Sequence, residues 1–180
     1  MSIIENIVQA VVAKFKTQGT AVKVSRLSSD WGAAEKCFDE FLKNSILLGL
    51  NEFQGVPEGY GNRLLFSDSQ DPKEAKSQLE VGGNWVWISS SISSLILKDD
   101  EPFLPQEHSE LISKTNLHLG QKVVAVKLWK PLPHIAIEFS DGSVLVIHGD
   151  NGQYESWAFD RWGSDAVGVY ALPGGPIAVG

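Results

Sequence analysis

A chain of 180 residues, 43% hydrophobic and 21% charged, is expected to fold as one water-soluble domain. That length suffices to bury about 70% of the unfolded surface without a metal or disulfide staple. Fifteen basic against 22 acidic residues give a formal net charge of −7, which disfavours non-specific attraction to nucleic acid or anionic lipid and favours a basic protein partner.

Cys37 is the single cysteine, so an internal disulfide and a thiolate-rich metal site are both excluded. Its helical spacing from Ala34 and Phe41 reads as a small core residue. The opening Met1-Ser2-Ile3-Ile4-Glu5 has no basic stretch leading into a cleavable apolar core, and no apolar run is long enough to span a bilayer. A cytoplasmic location is the expectation.

Ser2 and Glu5 form a capping-box signature, and Ile4, Ile7, Val8, Val11, Val12 and Phe15 recur at helical intervals, which predicts an amphipathic helix ending near Gly19. Thr20 to Leu27 alternates like a strand. Ser28, Ser29 and Asp30 then offer capping oxygens to a second helix with Trp31, Ala34, Phe38, Phe41 and Leu42 on one face. Glycines and Pro57 break periodicity between Leu50 and Asn62, with a short strand expected at Arg63 to Phe66. Asp71-Pro72-Lys73-Glu74 resembles a helix start, and that third helix should end by Gly82-Gly83.

Beyond residue 82 the texture turns to β. Trp85 and Trp87 alternate with Val86 and Ile88, and Ile92 to Leu97 reads as a further strand. A short helix or ordered loop is expected over Gln106 to Lys114. Strands are expected near Gln121 to Trp129, His134 to Phe139, Ser143 to His148 and Tyr154 to Phe159, with Asp141-Gly142 and Asn151-Gly152 as tight hairpin turns. A two-residue turn at Asp141-Gly142 sets Phe139 against Val144, Ile137 against Val146 and Ile135 against His148 on the core side. The C-terminal run from Leu172 to Gly180 is turn-rich, an ordered return or a frayed tail. The fold class is α+β, an antiparallel β-meander sheet packed against N-terminal helices. The chain is a single domain over 1–180, with a helix-rich half at 1–82 and an antiparallel β half at 83–180.

No phosphate loop, dinucleotide fingerprint or nucleophile elbow is present, and no cofactor is expected. His108-Ser109-Glu110 opens like a zinc-deaminase motif, but no Pro-Cys-x-x-Cys follows and no metal is expected. His134 and His148 are the ligand-binding candidates, although the two-residue turn sends their side chains to opposite faces. Asp141, Asp150 and Asn151 are explained as turn formers. Asp99, Asp100 and Glu101 form an acidic run that reads as a solvated turn or as a docking patch for a basic partner, and Trp157 and Trp162, which flank the last expected strand, read as core residues or as aromatic anchors for a partner or a ligand cleft.

The segment from Leu119-Gly120-Gln121-Lys122-Val123 through Phe139-Ser140-Asp141-Gly142-Ser143, with Leu145, Ile147 and Trp157, resembles a pattern in small bacterial domains. Some of these are immunity proteins of polymorphic toxin systems. The resemblance implies a non-enzymatic protein that neutralises a cognate toxin by docking, and it assigns no functional residue. Two alternatives stand beside it: a small-molecule-binding or hydrolytic domain with a cleft histidine, and a structural homodimer subunit.

Overall fold

The computed structural model describes residues 31–55, 59–68, 74–89, 91–95, 106–130, 132–149, 155–172 and 175–180. The helix expected near residues 2–19, the strand at 20–27, the acidic run at 99–101 and the Asn151-Gly152 turn lie outside these residues. Among the described residues the fold is α+β, with two α-helices and ten strands in antiparallel sheets.

Helix α1, Trp31–Cys37, continues into a π-helical turn, Phe38–Leu42, closed by the Lys43 N–H on the Phe38 carbonyl at 2.8 Å. The expected apolar stripe is what buries: Ala34, Cys37, Phe38 and Leu42 enter the core. The helical run ends at Leu42 with Lys43 extended, and the chain then turns at Asn44, a non-glycine residue in the left-handed region (φ 74°), a conformation asparagine tolerates.

The strands divide into two sheets. The first runs β1 (Ile46–Gly55), β2 (Gly59–Ser67), β3 (Ala75–Val81), β8 (Trp157–Arg161), β9 (Val167–Ala171) and β10 (Ile177–Val179) in that spatial order. The second runs β4 (Trp85–Ile88), β7 (Val144–Ile147), β6 (Ile135–Phe139) and β5 (Val123–Leu128). Strands β1 to β3 precede residue 82 and β8 to β10 follow it, yet they form one sheet. A single core, including Leu64, Leu79, Ile137, Leu145 and Phe159 with Phe38 of α1, is shared by both sheets and the helix.

Three local expectations give way to tertiary context. The segment after Asp71-Pro72 forms strand β3, not a helix. Ser77, Leu79 and Val81 alternate inward between β2 and β8, and this burial outweighs a helix-start signature. Ile92–Ser94 is one 3-10 turn and not a strand, because the Ser91 hydroxyl accepts from the Ser93 N–H and the Ser94 hydroxyl donates to the Ser91 carbonyl. Residues 50–62 hold most of the hairpin of β1 and β2, in which Gly55 pairs with Gly59 and Gly61 with Phe53.

The hairpin of β6 and β7 carries the correction that matters most. Ile135 pairs with Ile147, Ile137 with Leu145 and Glu138 with Val144, one residue away from the register of a two-residue turn. Gly142, at φ +82°, adds a bulge residue to the turn: its N–H bonds the Phe139 carbonyl, and the Phe139 N–H bonds Ser143. The slip exchanges the faces of β7. Leu145 and Ile147 join the main core, while Val144 and Val146 turn outward with Ala136 to pack under Ile92 in a second cluster.

Strands β7 and β8 do not form a hairpin. β7 lies between β4 and β6, whereas β8 lies between β3 and β9, so the chain changes sheet between them. It also changes sheet between β3 and β4. The two crossings run side by side, tied by Gly82 and Gly83 N–H groups on the Ser156 carbonyl and by the His148 N–H on the Asn84 carbonyl. The C-terminal run is an ordered return: β10 pairs with β9, and Gly180 exchanges backbone hydrogen bonds with Gly168.

Candidate functional site

Three places bring chemistry-bearing side chains together. The first is the sheet crossing. One further step along the Ile135–Ile147 register sets His134 opposite His148, and their ring centroids are 4.5 Å apart. The expectation of opposite faces fails with the two-residue turn that produced it. His134 is 1% exposed, and its Nδ1 accepts a hydrogen bond from the Gly149 N–H at 2.9 Å. A nitrogen that accepts carries no proton, so the ring is neutral with its proton on Nε2. The backbone at Gly149 lies against Pro133 so closely that a Cβ there would come within 2.2 Å of the Pro133 carbonyl carbon.

Trp157 seals the same crossing. It is 1% exposed, its indole N–H donates to the Pro133 carbonyl at 2.7 Å, and its ring packs against Phe38. A tryptophan buried in this way is a core residue, so it is removed from the partner-contact set. Trp162 is different. It is 39% exposed while its indole N–H is anchored on the Ala75 carbonyl, an arrangement that presents a ring face at the surface.

The second place was missed in the sequence. At the end of helix α2 (His108–Leu117), His118 Nδ1 lies 2.7 Å from Asp141 Oδ2, and the imidazole stacks on Trp87 at 4.3 Å. Trp87 is held in turn by its indole N–H on Thr115 Oγ1. Asp141 also accepts from the Ser143 N–H and hydroxyl. Burial pushes its carboxyl up, but the bonds from Ser143 and His118 outweigh this and hold it below the usual aspartate range. The Ser143 hydroxyl bonds the carboxylate and lies near Nδ1, the nitrogen that faces Asp141, so it is not placed for activation by Nε2. The cluster clasps α2 to the β6–β7 turn. Asp141 reads from sequence as a turn former, and nothing in the spacing links it to His118.

The third place is an open groove of about 330 Å³ between the helix and β5, lined by Glu35, Phe38, Asp39, Val126, Lys127 and Leu128. Val126 and Leu128 supply an apolar wall, and the carboxylates of Glu35 and Asp39 stand on the exposed side of the helix.

Among the described residues no three histidine, cysteine or acidic side chains gather as metal ligands. No described helix is long and apolar enough to cross a membrane. Cys37 lies in the core, where burial and then Glu40 push its thiol up to about 12 against the opposing pull of Arg161. Comparison with known proteins finds no matching family model, curated protein or solved structure.

Proposed function

We propose that this protein is a non-enzymatic binding domain of the immunity type, which neutralises a basic protein partner by docking an acidic surface against it. The observation that carries the reading is the character of the exposed helix face. Glu35, Asp39 and Glu40 are exposed along α1 and its π-helical turn, and the opening beside them is a groove edged by carboxylates. This adds to the net charge of −7 and to the acidic run Asp99, Asp100 and Glu101. Complementary charge steers such a partner to the surface and sets its register. Trp162, 39% exposed, is the candidate aromatic anchor for the partner.

The ligand-binding alternative rests on His148, which is half-buried, since His134 is enclosed by Pro133, Gly149 and the sheet crossing. The test is capture of partners from native cell extract on the immobilised protein at low and moderate salt. The expected result is one basic protein, lost when Asp99→Asn, Asp100→Asn and Glu101→Gln are combined with Glu35→Gln and Asp39→Asn. An acidic or neutral partner retained equally by wild type and variant contradicts the reading.

A further inference from the structure

We propose that the groove between α1 and β5 receives a lysine or arginine side chain of the basic partner; this rests on the docking reading above and adds to it the point of contact. A basic side chain has two parts with opposite requirements, an aliphatic stem that gains from apolar contact and a cationic head that needs acceptors. The groove offers both: Val126, Leu128 and Phe38 contribute apolar lining, and the exposed Glu35 and Asp39 contribute carboxylates, with Lys127 also in the lining.

The rim carboxylates lie four residues apart on one helical face, an arrangement in which like charges repel. Their neutralisation within the described residues is partial, with the exposed Lys36 following Glu35 on the helix. Asp39 has Lys43 at 3.6 Å, with both side chains largely exposed, and Glu35 has no ion pair with another described residue. Lys127 lines the groove, yet its ammonium lies over the Trp129 ring at 4.5 Å, in a cation–π contact. The like-charge repulsion is relieved when a cation enters between Glu35 and Asp39. The groove, about 330 Å³ and open to solvent, has room for a long side chain.

The probe is a hexa-arginine peptide titrated into the full chain, with hexa-glutamate as control, followed by amide chemical shifts. Hexa-arginine should shift Phe38, Val126 and Leu128. Its affinity should fall roughly fivefold or more in Glu35→Gln/Asp39→Asn and rise in Lys127→Met, which removes the competing positive charge. These are exposed or rim positions, so the remaining spectrum should superpose on wild type. If hexa-arginine shifts only amides elsewhere on the surface, the groove is overturned while acidic docking stands. If it shifts none, or hexa-glutamate shifts the same amides, the groove and the docking reading both fall.

Discussion

His134 and His148 stand across the β6–β7 ladder from one another, ring centroids 4.5 Å apart, at the point where the chain passes twice between its sheets. The pair is fixed by backbone. Gly149 donates its N–H to His134 Nδ1, and the Pro133 carbonyl accepts from the Trp157 indole N–H. The β6–β7 hairpin, the crossing and the core tryptophan therefore share one junction.

Gly149→Ala should destabilise the fold by about 3 kcal/mol, because its Cβ would meet the Pro133 carbonyl carbon at 2.2 Å and neither backbone can yield without losing these bonds. Gly49→Ala, whose Cβ would meet only Leu65 Cδ1 at 3.9 Å, should change stability by less than about 1 kcal/mol. Urea unfolding midpoints of the two variants check the contrast.

The same junction shows what the sequence made legible. Helix α1 was readable because Trp31, Ala34, Phe38 and Leu42 repeat at helical spacing, and β6 and β7 because their apolar runs flank a turn signal. The register was not. Asp141-Gly142 serves a two-residue turn and a bulged turn equally well, since both place the glycine at positive φ; what distinguishes them is that Asp141 does not share it and that Glu138 pairs with Val144. One residue of slip decides whether His134 meets His148. The clasp of His118 and Asp141 was hidden for another reason, since its partners are 23 residues apart on a helix end and a turn. Strand β3 was misread because Lys76, Gln78 and Glu80 are good helix formers whose outward placement depends on β2 and β8.

Those outward residues belong to a polar ladder across four strands. Arg63 bonds Glu80 at 2.6 Å, Gln78 bonds Glu80 and Asp160, and the Tyr170 hydroxyl donates to Asp160 at 2.8 Å. Burial, then Asp160, hold the phenol protonated well above its ordinary range. Tyr170 also lies over Gly168, where a Cβ would meet the hydroxyl at 2.0 Å. Tyr170→Phe should cost about 1 kcal/mol through the lost hydrogen bond. Gly168→Ala should cost more in the wild type than in a Tyr170→Ala background, and a double-mutant cycle by thermal unfolding measures that coupling.

Cys37 should resist alkylation in the native protein. Its thiol is buried and held at about 12, so little reactive thiolate exists at pH 8. Labelling by iodoacetamide should track unfolding across a denaturant series. Rapid labelling without denaturant would show that α1 detaches from the core.

Asp68 and Asp141 are both held below the usual aspartate range, Asp68 chiefly by its hydrogen bonds from Arg161 and Asp141 by the bonds from Ser143 and His118 against burial. Both carboxylates therefore contribute stability that is present above the unfolded value of about 4 and is lost as pH falls through the lower folded values. Asp68→Asn/Asp141→Asn should flatten the fall in stability below about pH 4, read from urea midpoints across an acid series. An unchanged slope would assign acid lability to other groups.

The central claim is neutralisation by an acidic docking surface, and the most direct test is titration of the captured basic partner with this protein at increasing salt. The account predicts one-to-one binding that suppresses the partner's activity, with affinity that drops steeply as salt rises and association slowed by neutralising Glu35 and Asp39. Salt-independent binding, or full partner activity in the saturated complex, would contradict it.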